Sequence, residues 1–145
     1  MLYNNSDNSR RLRDDLGNWV KNYSLDKYGK DWNYCLGLSY RYDMKNKNWR
    51  NNVKGLFNNL YDNDKNIDGF IINEFDNNFS NIHHHLIIKS DLVEKDFIKI
   101  IKRNWDKKGL SDLKIYNKNL DYCNYIFKHY NKLDENEFDM ILDCR

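Results

Sequence analysis

Proline, alanine, threonine and glutamine are absent from the 145-residue chain, whereas asparagine occurs 24 times. Asn, Lys, Ile, Tyr and Phe share AT-rich codons, so the skew reads as base-composition bias and not as a physical adaptation. The mere presence of a tyrosine or an asparagine therefore carries little functional information. No apolar run approaches the roughly 20 residues that span a bilayer, and a membrane role is not expected. Residues 1–13 are polar, without an apolar segment, so a secretory leader is not expected either. The three cysteines, Cys35, Cys123 and Cys144, are odd in number and form no C-x-x-C pair. That argues against a disulfide framework or a Cys-based zinc site and for a reducing, intracellular compartment. Charge is nearly balanced, 24 basic against 22 acidic residues, so any nucleic-acid surface has to be local. Histidine is scarce in a different way: there are only four, and three are consecutive at 83–85.

What is present suffices for one domain. Hydrophobic residues make up 40% and aromatic residues 15%, enough large side chains for a core despite the polar average. Leu12, Leu16, Trp19, Val20 and Tyr23 follow a helical period within the first 30 residues, with Ser9 as N-cap. Alternation over 34–42 predicts a strand with Tyr34, Leu36, Leu38, Tyr40 and Tyr42 on one face. Its other face, Cys35, Gly37, Ser39 and Arg41, is small and partly polar. Trp49, Val53, Leu56, Phe57 and Leu60 restore the helical period, which Asp62, Asn63 and Asp64 end. Strands are expected over 67–75 and 82–88, joined as a hairpin through the polar turn at 76–81. A helix with Val93, Phe97, Ile100, Ile101 and Trp105 on its buried stripe follows. Ser90 or Asp91 caps it, Asp91 and Glu94 supply a capping-box pattern, and Gly109 stops it. A short fourth strand over 113–116 and a helix over 120–132 complete the order, with Leu120, Cys123, Phe127 and Tyr130 lining the helix's inner side. This is an α+β class chain, a mostly antiparallel sheet with helices packed on one face.

Within the strand at 82–88, alternation puts His83 and His85 on one face and His84 with Leu86 and Ile88 on the other. Two imidazoles two residues apart on a strand have Cα atoms roughly 6–7 Å apart, at about 3.3 Å per residue, so both can reach one ion. Glu74, nine residues before His83, comes approximately opposite them if the hairpin turns at 76–81. One carboxylate and two imidazoles, with coordination positions left for water and a phosphate oxygen, suit Mn or Mg. His84 reads as structural.

Tyr125 and Lys128 form a Tyr-x-x-Lys on one helical surface. A tyrosine is a poor nucleophile near its free pKa of about 10, and a nearby cation or a metal-polarised phosphate would assist it. Tyr122, one turn earlier, is the rival nucleophile.

Taken together, these motifs resemble the HUH endonuclease family, the rolling-circle replication initiators of small plasmids and single-stranded DNA viruses. Glu74, the hairpin turn and His83-His84-His85-Leu86-Ile87-Ile88 are similar to the family's second motif. The segment 32–42, with Leu36-Gly37-Leu38-Ser39, stands where the first motif belongs, and Tyr125-x-x-Lys128 where the third does. His84 replaces the usual hydrophobic residue between the two ligands, and no Gly-x-x-x-x-Gly-Lys-Ser/Thr segment for a helicase follows. The resemblance implies a ferredoxin/RRM-like nuclease fold. It would form a single nicking domain over 1–145, with a helical extension at 1–31, a core at 32–132 and a tail at 133–145. It also implies metal-dependent nicking and joining of single-stranded DNA through a 5′-phosphotyrosine. Glu74, His83 and His85 would hold the metal, Tyr125 would attack, and Lys128 would stabilise developing charge. Arg41, Lys89 and Lys132 would track the DNA backbone, with a replication polymerase and helicase acting in trans. Three alternatives stand beside this: a catalytically inactive single-stranded nucleic-acid-binding module of the same fold, a related single-tyrosine transposase or relaxase, and a structural zinc or plain α+β domain that does not act on DNA.

Overall fold

The computed structural model describes residues 5–42, 48–75, 82–127 and 137–140, with side chains over 11–42, 49–75 and 82–127. In chain order the elements are α1 (Asn5–Tyr28), β1 (Tyr34–Tyr40), α2 (Asn48–Asn63), β2 (Asp68–Phe75) and β3 (Ile82–Lys89). They continue with α3 (Glu94–Trp105), β4 (Gly109–Ile115), α4 (Tyr122–Ile126) and β5 (Glu137–Met140). All strands pair antiparallel in one sheet of order β4-β1-β3-β2-β5. The expected hairpin is β2–β3. The fifth strand lies in the segment read as a tail and extends the sheet at the β2 edge. Among the described residues no helix is long and apolar enough to cross a membrane.

Alternation explains which side chains go where. Tyr34, Leu36 and Leu38 of β1, Ile71 of β2 and Leu86 and Ile88 of β3 face α2 and α3. Those helices answer with Val53, Leu56, Phe57 and Leu60, and with Phe97, Ile101 and Trp105. The crossover β1-α2-β2 and the crossover β3-α3-β4 both deliver their helix to this face, as expected. Each fully buried Leu or Phe here contributes roughly 1.5–3 kcal/mol relative to exposure. The opposite face is also covered at one end. Val20 of α1 and Cys123 and Ile126 of α4, with the following Phe127, pack there on Cys35, Phe70, Ile72 and Ile87. The helix set apart as an N-terminal extension thus packs on the sheet. Its stripe is narrower than its period suggests, because Trp19 meets Phe70 and Tyr23 edge-on and stays 48% exposed.

Four local readings are corrected. Ser9 does not cap α1, which begins at Asn5. Ser90 and Asp91 do not cap α3, whose N-cap position is Val93 without a side-chain bond. They are drawn instead to Asp64, the residue just past α2: Ser90 Oγ donates to Asp64 Oδ2 at 2.7 Å and the Asp91 N–H at 2.8 Å. A buried carboxylate that needs donors outcompetes a helix end that water can reach. Leu120 is exposed, since α4 spans only Tyr122–Ile126 and begins beyond it.

The fourth concerns Gly109, which is the first residue of β4 and not a helix stop; α3 ends at Trp105. A Cβ there would lie 1.8 Å from the Ser39 carbonyl oxygen, so β1 and β4 can pair at this level only around a glycine. Gly109→Ala is expected to destabilise the chain by roughly 1–3 kcal/mol, the usual cost of forced overpacking. An unchanged urea midpoint in the variant would contradict this.

Candidate active site

Register decides what the histidines face. Glu74 pairs with His83 and Ile72 with His85 across β2–β3, as the hairpin spacing predicts. On the other side of β3, Ser39 pairs with His83 and Gly37 with His85. β4 continues the row, placing Asp112 opposite Gly37 and Lys114 opposite Cys35. Asp112, Gly37 and His85 therefore share one cross-strand row, and the missing side chain in the middle leaves open space between a carboxylate and an imidazole.

A cavity of about 770 Å³ occupies that space, closed on one side by α4 and the turn before it. His85 enters from β3, Asp112 and Lys114 from β4, and Tyr122 and Tyr125 from α4. A smaller groove of about 390 Å³ past His83 shares Gly37, His85 and Asp112 with it, so the two adjoin.

His85 and Glu74 are in contact: His85 Nε2 lies 3.0 Å from Glu74 Oε2, both partly buried. His83 is exposed on the same face. At this distance the two are hydrogen-bonded, and the same spacing is compatible with two adjacent ligands about 2.1 Å from an octahedral ion. Among the described residues no three His, Cys, Asp or Glu side chains form a ready-made metal cluster. Two of the three expected ligands converge, and the third is on the correct strand and face but turned to solvent. The donor set, one carboxylate and one or two imidazoles beside open space, suits Mn or Mg better than a closed zinc site.

His84 has the structural place expected of it. It is buried on the α2/α3 face, with Nδ1 2.6 Å from Asn73 Oδ1 and Nε2 2.8 Å from the Tyr40 hydroxyl. The amide oxygen can only accept, so Nδ1 carries the proton and Nε2 accepts from Tyr40. Burial pushes its pKa down to about 3, and the neighbouring histidines add to the shift.

The two tyrosines of α4 differ sharply. Cys123, Ile126 and Phe127 bury the helix's inner side, where α4 packs beside α1. Tyr122 points toward the sheet: its hydroxyl donates to the Leu86 carbonyl at 3.2 Å, and burial pushes its pKa well above the usual tyrosine value. Tyr125 is half exposed and presents its ring edge-on to His85, with centroids 6.2 Å apart. The structure thus brings Glu74, His85 and Tyr125 together, with Tyr122 lining the same cavity through a more buried, hydrogen-bonded hydroxyl. Lys128, His129 and Lys132 lie outside the described residues. Arg41 is exposed just past β1, whereas Lys89 is buried at the far end of β3 and does not line this cavity.

Asp112 was not foreseen, because the fourth strand was expected only at 113–116; Lys114 fell within that strand but was not singled out. Extending the alternation back to Gly109 is the signal that would have exposed Asp112. Cys35 lines the cavity too, but burial pushes its thiol up to about 12, and Cys123 up to about 11, so both are protonated near neutral pH and inert. Comparison with protein-family models, with curated proteins and with solved structures finds no match to this chain.

Proposed function

We propose that this chain is a metal-dependent endonuclease of the HUH type that nicks and rejoins single-stranded DNA. The observation that carries the reading is that His85, in contact with Glu74, lines one open cavity together with a half-exposed Tyr125. The element order β-α-β-β-α-β, with sheet order β4-β1-β3-β2 and the histidines on a central strand, supports a ferredoxin/RRM-like assignment.

In this reading a single strand lies across the two adjoining pockets, with its scissile phosphate between His85 and Tyr125. Tyr125 Oη forms a bond to phosphorus as the P–O3′ bond breaks, leaving a 5′-phosphotyrosine and a 3′-oxygen that takes up a proton. The adduct conserves the phosphodiester energy, so the reverse attack by a 3′-hydroxyl rejoins the strand without ATP. Glu74 and His85, with His83 swinging in from solvent, are the residues to hold Mn or Mg, which when bound supplies positive charge to polarise the phosphate. Lys114 of β4, which lines the cavity 3.7 Å from Asp112 Oδ2, is a cation that would offset charge developing on the phosphate oxygens, the role the resemblance gives to Lys128. Replication initiation, with polymerase and helicase in trans, is the role this chemistry suits.

The test is incubation of the chain with a pool of single-stranded oligonucleotides and Mn. An adduct that survives SDS is expected, and retained binding without an adduct would favour the inactive module of the same fold. The His83→Ala, His85→Ala double variant is expected to weaken Mn binding, measured calorimetrically, by more than about tenfold and to lose the adduct. Unchanged Mn affinity in that variant would remove the metal assignment.

A further inference from the structure

A second cavity, of about 520 Å³, lies at the opposite end of the sheet, where the last turns of α1 and α2 meet the end of β3. It shares no lining residue with the cavity that holds Tyr125. Lys89 stands four residues beyond His85, about 13 Å along the strand at about 3.3 Å per residue.

The lining is cationic. Lys30, just past α1, Lys65, in the turn after α2, and Lys89 all face it, against one lining carboxylate, Asp91. Lys89 is only 7% exposed. Its ammonium sits 4.4 Å from the centre of the Tyr28 ring and 3.3 Å from the Asn66 carbonyl oxygen. Lys65 lies likewise 4.4 Å over the Tyr61 ring. Among the described residues, neither Lys30 nor Lys89 is within ion-pair distance of a carboxylate.

One nearby acid touches the cluster itself: Asp62 Oδ1 lies 3.8 Å from Lys65 Nζ, an exposed pair of little strength that water screens. Two others are committed elsewhere. Asp68, the register partner of Lys89, accepts from the Tyr23 hydroxyl at 3.3 Å and from the Tyr28 hydroxyl, and Lys27 lies 3.6 Å away. Asp91 Oδ2 accepts from the Asn66 side-chain amide at 3.0 Å. An ammonium has three N–H donors, and a buried one is costly to leave with a single carbonyl and a ring face. The two tyrosine rings are already covered by lysines, so the cavity is not a stacking platform for a base. What it offers is positive charge and N–H donors at a polar mouth, which a phosphate oxyanion matches.

We propose that this cavity binds a phosphate group through Lys30, Lys65 and Lys89, at a site separate from the candidate nuclease centre. The phosphate is free, carried by a mononucleotide, or part of a single strand running past this end of the sheet. The site stands on its own observations and does not depend on the nuclease reading.

The experiment is calorimetric titration of the full chain at low salt with inorganic phosphate, with deoxyadenosine monophosphate and with a short single-stranded oligonucleotide. It is repeated on Lys89→Met and on Lys30→Ser combined with Lys65→Ser. Both residues of the double variant are exposed, so the fold is retained even if Lys89→Met perturbs it. Saturable phosphate binding is expected, weakened about tenfold or more by the double variant. If the mononucleotide or the oligonucleotide binds more tightly than phosphate and loses the same factor, it is the source. If none of the three probes saturates the chain, or if affinities are unchanged in the double variant, the proposal is overturned.

Discussion

Tyr125→Phe is expected to abolish the SDS-stable protein–DNA adduct, by at least about 10³-fold in rate, while leaving stability nearly unchanged. Tyr122→Phe should do the reverse. The Tyr122 hydroxyl is bonded to the Leu86 carbonyl, and burial disfavours its phenolate, so it contributes packing and one hydrogen bond. Its loss should cost about 1 kcal/mol of stability and leave adduct formation within a few-fold of the unmodified chain. Gel analysis of the adduct, paired with urea unfolding of both variants, reads the two effects separately. Equal adduct yields from the chain and Tyr125→Phe would remove Tyr125 as nucleophile. Loss of the adduct in Tyr122→Phe alone would transfer the role one turn back along α4.

Acid should unfold the chain through His84. Its folded pKa is lowered from 6.5 to about 3 by burial, so the folded state holds the ring neutral where the unfolded chain would protonate it. The resulting contribution is complete above pH 6.5 and falls away as pH drops from there toward 3. Between pH 7 and pH 5 the loss is about 2 kcal/mol, at about 1.4 kcal/mol per pH unit below 6.5. His84→Phe removes the titrating group, strands the buried Asn73 amide oxygen and leaves the Tyr40 hydroxyl, which also bonds Asn52, without an acceptor for its proton. It is expected to start less stable at pH 7, by roughly 1–3 kcal/mol for each unpaired group, and to lose much less on acidification. Urea midpoints of both proteins at pH 7 and pH 5 provide the comparison. Parallel slopes would show that His84 is not the group responsible.

His84 also illustrates how far the sequence can be read. Its structural role follows from parity with Leu86 and Ile88 alone, because alternation is a property of the local backbone. The partners that satisfy it, Tyr40 on β1 and Asn73 on β2, belong to two other strands. Alternation placed Tyr40 on the correct face of its strand but could not bring it beside the histidine. Ser90 and Asp91 show the converse. Their spacing before a helical stripe is a sound capping signal, and a distant buried carboxylate, Asp64, overrode it. Gly109 resembled a helix stop because glycine usually is one. The actual requirement, close approach of the Ser39 carbonyl, arises from a strand seventy residues earlier.

The sequence by itself determined the α+β class, the order of helices and strands up to α4, the hairpin that sets Glu74 against His83, and the face shared by His83 and His85. Each of these rests on periodicity, turn chemistry or short spacing, which act over a few residues. Only the tertiary structure decided which tyrosine of α4 is half exposed beside His85, since α1 and the sheet fix how that short helix is turned. It also brought Asp112 and Lys114 into the cavity through the pairing of β4 with β1, and it carried Lys89 away to the opposite end of the sheet. Those outcomes depend on contacts between residues far apart in the chain, and local pattern holds no record of such contacts.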